Sequence, residues 1–198
     1  MFSVIDYWVL KAESADGAII DALPEGSPTN WKFSRGEPLA RQFSTGGKVS
    51  FSDHFPDRRK LYDFVRNTVG VLLVSSRVRL VLEELQVDNA EFLPVAMCDH
   101  RWSPVAEGYG ILNVLGSQDV IDLERSDCDI DPITKKEVTR VGNLVLTQGK
   151  IDPKADIFRA RNMMELILIS DRTKQAFEQA GLTGFRAHPA EGFDDMFA

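Results

Sequence analysis

Cys98, Asp99 and His100 stand side by side, three side chains that could ligate a metal or pair a nucleophile with a base. On a strand, Cys98 and His100 would point the same way, either as two metal ligands or as a thiolate beside its base. Zinc normally takes four ligands arranged as spaced pairs. The remaining candidates, Cys128, His54 and His188, offer no companion motif at ligand spacing. The plainer expectation is a strand-end cysteine beside an exposed loop.

The densest charge lies in Asp119 to Asp131, where Asp119, Asp122, Glu124, Asp127, Asp129 and Asp131 face the single base Arg125. Asp127-Cys128-Asp129-Ile130-Asp131 imitates the opening of a calcium loop. It fails at two positions: Pro132 stands where glycine must turn the chain, and Val138 where the bidentate glutamate belongs. Two readings remain, a solvated acidic loop and a docking surface for a basic partner built from Asp122, Glu124, Asp127, Asp129 and Asp131. Trp102, between Arg101 and Pro104, is the other candidate for partner binding. An exposed tryptophan is a frequent hot spot, and the alternative is that it folds back on the core.

No phosphate loop, dinucleotide fingerprint or nucleophile elbow occurs in the chain. The expectation is therefore no cofactor and no metal. With 23 basic and 30 acidic residues the net charge is −7. A surface that tracks phosphates needs the opposite balance, so nucleic acid is not expected as a partner.

These side chains must be positioned by 198 residues, enough for one ordinary domain or two small ones. A hydrophobic share of 43% with 27% charged residues suits a folded domain rather than a disordered chain. No apolar run approaches the ~20 residues that a bilayer demands. Met1 to Tyr7 lacks the basic start of an export signal, so a cytoplasmic protein with reduced Cys98 and Cys128 is expected.

Residues 2 to 10 read as a first strand. Ala12 to Gly47 holds eight glycines and prolines from Gly17 to Gly47, which implies loops and short strands. Val49 to Phe51 reads as a strand, and Leu61 to Arg66 as strand or helix. Tyr109 to Leu115 with Val120 to Leu123 looks like one hairpin around Gly116-Ser117. Val138 to Val141 with Leu144 to Leu146 looks like another, turning at Gly142-Asn143. At the end, Phe193 and Phe197 either pack on the body or fray with the terminus.

Two segments share one plan. Val71 to Val74 is a short buried strand, Ser75 a helix cap, and Val78, Val81, Leu82 and Leu85 one apolar helix face. Ser170 repeats Ser75 at a distance of 95 residues. At the same interval Phe177 follows Leu82, Leu182 follows Val87, Gly184 follows Asn89 and Pro189 follows Pro94. Both segments read as strand, serine cap, helix, a turn residue tolerant of positive φ, then strand. The fold class expected is α+β, mostly short antiparallel strands with two strand–helix–strand units, a recurrence or a pseudo-duplication. The expected divisions are an N-terminal strand and loop region over 1–55, the α+β domain over 56–190 and an acidic tail over 191–198.

The chain resembles a bacterial family of immunity proteins from polymorphic-toxin systems, typified by a myxobacterial member. The resemblance runs through Val74-Ser75, Leu82-Glu83, Phe92-Leu93-Pro94, Tyr109, Leu112-Asn113-Val114 and Asp119 through Asp122 to Ser126. It continues in Ile157-Phe158-Arg159, Leu168-Ile169-Ser170 and Ala180 to Gly184. It implies a cytoplasmic antidote that binds a cognate toxin encoded by a neighbouring gene, and it carries over no catalytic residues. Two functions therefore stand side by side. One is a non-enzymatic binding protein that neutralises a toxin. The other is a small enzyme with a site built around Cys98 and His100. Self-association into a homo-oligomer is open.

Overall fold

The computed structural model describes residues 6–43 and 46–196. Its elements in order are β1 (Tyr7–Ala12), β2 (Ile19–Ile20), α1 (Asn30–Phe33), β3 (Gly47–Ser50), β4 (Phe64–Asn67), β5 (Leu72–Ser75) and α2 (Ser76–Glu84). There follow β6 (Ala90–Cys98), β7 (Pro104–Val114), β8 (Asp127–Ile130), β9 (Val138–Asn143), β10 (Ile157–Ala160), β11 (Met163–Ser170), α3 (Asp171–Gln179) and β12 (Phe185–Pro189). The α+β class holds. The first strand runs through Ala12, and residues 2–5 of its expected span, like Phe197, lie outside the described residues.

One sheet has the order β10-β11-β1-β12 and the other β2-β4-β5-β7-β6-β3, with β8-β9 as a separate ribbon. The cores of the two sheets have one topology. Within β4-β5-β7-β6, Ser75 faces Tyr109, Leu73 faces Ile111 and Pro94 faces Gly110. Within β10-β11-β1-β12, Ser170 faces Tyr7, Leu168 faces Val9 and Pro189 faces Trp8. The third strand of the first set is β7, which follows in sequence; that of the second is β1, from the start of the chain. Residues 13–63 and 115–156 are thus long insertions around this frame.

Alternation along the strands divides the core into three. Leu72, Val74, Leu112 and Leu10, Ile167, Ile169 from the two sheets meet Val78, Val81, Leu82 and Phe177 from the helices in one shared core. The opposite face of the smaller sheet, with Tyr7, Val9 and Leu168, is covered by Val120, Val138, Val141 and Phe193. The opposite face of the larger sheet, with Leu73 and Ile111, is covered by Phe33, Leu39, Phe43 and Phe51. Strands buried on both faces need unbroken apolar runs, which is why Val71 to Val74 and Leu166 to Ile169 carry no alternation.

The helices end alike and begin differently. Gln86 and Gly181 both take positive φ, 61° and 62°. The amides of Val87 and Leu182 reach back to Leu82 O and Phe177 O, each at 3.0 Å, closing the same αL turn. The positive φ expected at Asn89 and Gly184 is therefore found three residues earlier in both units, and at Gly184 as well. Ser170 Oγ accepts from Thr173 N at 3.2 Å as a cap should. Ser75 stands at the same position without a cap bond. Its hydroxyl donates to Asp63 Oδ1 at 2.7 Å, just as Ser170 Oγ donates to Asp156 Oδ1 at 2.7 Å while also accepting its cap amide.

Two expected hairpins are corrected. Tyr109 to Leu115 does not pair with Val120 to Leu123: β7 lies between β5 and β6, and Ile121 bridges to Leu146. Gly116, at φ 70°, takes the chain out of the sheet while its amide donates to Gly36 O. Gly142-Asn143 is not a turn either. Both lie inside β9, which pairs with β8, so the acidic segment is partly strand and the turn falls at residues 131–137.

Candidate functional site

The β6–β7 hairpin carries the Cys98-Asp99-His100 triplet at its end. Cys98 is fully buried and pairs with Pro104 across the hairpin. Asp99 builds the turn: its Oδ1 accepts from Arg101 N at 2.8 Å and Ser103 N at 2.9 Å, and its own amide donates to Ser103 O. Those two amides, Ser103 foremost, hold the Asp99 carboxyl below its usual range. His100 stacks edge-on against Phe51, ring centroids 5.6 Å apart. The three residues are thus split between core, turn and ring packing. Among the described residues no group of three His, Cys, Asp or Glu side chains could hold a metal ion.

Trp102 is at the tip of this hairpin, 58% exposed and at φ 60°. It does not fold back on the core. A left-handed backbone suits glycine far better than tryptophan, so the turn holds a large ring in water against its local preference. Beside it opens a cavity of ≈ 500 Å³ lined by Phe51, Arg59, Leu61, Asp99, His100, Arg101 and Val105.

The acidic residues are distributed differently from a free cluster. Asp122 Oδ1 accepts from the amides of Glu124 and Arg125. Asp129 pairs with Arg140 at 2.6 Å, which holds its carboxyl low. Asp131 Oδ1 accepts from Ile133 N at 2.8 Å and Thr134 N at 2.7 Å, so it caps the β8–β9 turn. Asp119 pairs with Lys150 at 3.3 Å. Asp127 and Glu124 face outward. Their spacing in sequence is therefore in part the requirement of two Asx turns and three ion pairs, the third between Asp122 and Arg125 at 3.8 Å. The same ribbon presents Ile133, 88% exposed, with the exposed Ile130 beside it. Cys128, between Asp127 and Asp129, packs partly on the core, and burial pushes its thiol up.

A third surface escaped the sequence reading. Trp31 is exposed beneath the Arg35 guanidinium, 4.3 Å from the ring centre. It lines a groove of ≈ 580 Å³ with Glu137, Arg161, Met163 and Glu165. The groove lies where the two insertions meet on the β10–β11 hairpin. Trp31 sits in a stretch rich in glycine and proline, and only the distant return of the chain gives it neighbours.

Under that junction Arg159 is almost entirely buried. Its guanidinium donates to Val114 O at 2.9 Å, Met164 O at 2.6 Å and Phe33 O at 2.8 Å. Burial holds its pKa down at about 10. The sequence resemblance includes this arginine, and its role is to tie one insertion and both sheets together.

Paired four-stranded frames with long insertions and two exposed tryptophans, Trp31 and Trp102, define an α+β protein. A family model, the Imm11 immunity protein family, matches residues 15–192. The chain belongs to that family. No match to it is found among curated proteins. No helix among the described residues is long and apolar enough to cross a membrane.

Proposed function

We propose that this protein binds and neutralises a cognate secreted antibacterial toxin, in the cytoplasm of the cell that makes both, without a catalytic step. Membership in the Imm11 family carries the reading. The full burial of Cys98 weighs against an enzyme built around Cys98 and His100, because a nucleophile must meet its substrate. The excess of acid suits a basic toxin and would speed its approach. The partner surface would take in Trp102 and the outward face of the acidic ribbon, Asp122, Glu124, Asp127, Asp129 and Asp131, around the exposed Ile130 and Ile133.

The test is co-expression with the toxic domain encoded beside the gene. A host that dies with the toxin alone should grow with both, and the two chains should purify together. Asp127→Asn, Asp129→Asn and Asp131→Asn combined should slow association, and more so at low salt. Asparagine keeps the Asp131 cap, and the Asp129 pair is exposed, so the melting temperature should stay close to the parent's. Unchanged binding kinetics at low salt would remove the ribbon from the interface. Failure to protect or to co-purify would sink the immunity reading itself.

We also infer that the two four-stranded units descend from one ancestral unit, the second taking its third strand from the N-terminus. Matching registers support this, as does a reciprocal contact between the helices. Arg77, bound to Asp63 at 2.9 Å, donates to Ala180 O at the end of α3. Arg172, bound to Asp156 at 2.6 Å, donates to Leu85 O at the end of α2. Ser75→Ala and Ser170→Ala should each cost about 1 kcal/mol in urea titrations. In an Asp63→Ala background the Ser75 change should cost little, whereas Ser170→Ala should still cost something after Asp156→Ala, because its cap survives. Neutral substitutions at both serines would end the case for equivalent units.

A further inference from the structure

The cavity beside the β6–β7 turn has a charge opposite to that of the chain. Arg59, Arg101 and His100 line it against the single acid Asp99, in a protein whose acids outnumber its bases by 30 to 23. One oxygen of Asp99, Oδ1, already accepts two amides of its own turn. Arg59 donates its Nε to Pro56 O at 3.1 Å. Among the described residues, the guanidinium of Arg101 has no hydrogen-bond or ion-pair partner within the chain. The wall between the arginines is apolar, formed by Phe51, Leu61 and the half-exposed Val105. Trp102 follows Arg101 and is held out by a positive φ.

We propose that this cavity anchors the toxin, and that its occupant is a toxin segment carrying a carboxylate next to an apolar side chain. This rests on the reading of the protein as an immunity protein and names the place and chemistry of contact. The planar guanidinium of Arg101, with Arg59 lining the same cavity, grips the carboxylate. Trp102 and Val105 cover the apolar neighbour, as aromatic and arginine side chains do at the centre of interfaces. The opposing charges act at different ranges. Beyond a Debye length, about 8 Å at physiological salt, an approaching basic toxin meets the net charge of the whole chain. At contact it meets two arginines, which accept an acidic segment and reject a basic one. That inversion sets the register of the complex.

The experiment uses the full chain and the toxic domain encoded beside its gene, with binding measured by calorimetry and by surface-immobilised kinetics. Arg101→Glu combined with Arg59→Gln should weaken binding at least 100-fold, chiefly through faster dissociation. Trp102→Gly, which relieves the turn, should weaken it at least tenfold while the melting temperature holds or rises. Arg101→Met, which keeps length and loses charge, should fall between parent and Arg101→Glu; it is the variant to read if the glutamate melts early. A toxin variant with one interfacial acid changed to lysine should regain affinity for Arg101→Glu alone. Binding of Arg101→Met and Trp102→Gly as tight as the parent's would overturn the proposal while leaving the immunity reading intact. A parent chain that neither binds nor protects would overturn both.

Discussion

Arg159→Met should lower stability by about 3 kcal/mol, which for a domain of this length is a fall in melting temperature of roughly 6–12 °C. Methionine fills much of the same volume, so packing loss is not the main cause. The cause is three backbone carbonyls, of Val114, Met164 and Phe33, left without a donor in the interior. Burying the charge itself opposes folding, as its depressed pKa of about 10 attests. The net cost of the change is therefore below the sum of three lost charge-assisted bonds. Arg159→Lys should show an intermediate loss, because one ammonium cannot span three diverging acceptors. Denaturant titrations with an unchanged slope would show that stability, and not the unfolded state, has moved. Stability equal to the parent's in Arg159→Met would mean that water satisfies these carbonyls and that the arginine is dispensable.

Phe177→Ala should cost about 4 kcal/mol, at the upper end for a core truncation. Phe177 is on α3 and fully buried. Its ring lies 5.5 Å from Phe64 and 5.6 Å from Phe185, two rings that are themselves 5.3 Å apart. Phe64 belongs to the larger sheet and Phe185 to the smaller, so the trio closes the core that both sheets share. Its counterpart on α2, Leu82, faces the same core. Leu82→Ala should cost less, about 3 kcal/mol, since leucine loses less volume and no ring contacts. Urea unfolding followed by far-UV and near-UV dichroism would check both. A cost for Phe177→Ala below about 1 kcal/mol would show that the trio is not the centre of the shared core.

Local and repeated features were legible in the sequence. Ser75 and Ser170 mark helix starts because a short polar side chain before an apolar helix face has few other uses. The runs Val71 to Val74 and Leu166 to Ile169 announce strands buried on both faces, and the constant interval between the two segments survives as matching strand register. The family resemblance drawn from ordered small motifs between Val74 and Gly184 agrees with the family match over residues 15–192. Tertiary structure decided what no local rule contains. Tyr7 to Ala12 completes a sheet whose other strands are more than 140 residues away, and strand pairing at that distance leaves no periodic trace nearby. Gly142-Asn143 has the composition of a turn, yet it continues β9. The partner strand β8 and the bonds of Leu144 N to Phe193 O and Gly192 N to Leu144 O come from elsewhere in the chain. The two serines also gain carboxylate partners that no local rule supplies, Asp63 twelve residues before Ser75 and Asp156 fourteen before Ser170, each brought close by strand pairing. Arg59, Arg101 and Trp31 become surface features only when distant segments close around them. Sequence settles what a residue prefers with its near neighbours; the fold settles which distant neighbours it has, because long-range burial and charge pairing outweigh preferences of about 1 kcal/mol or less.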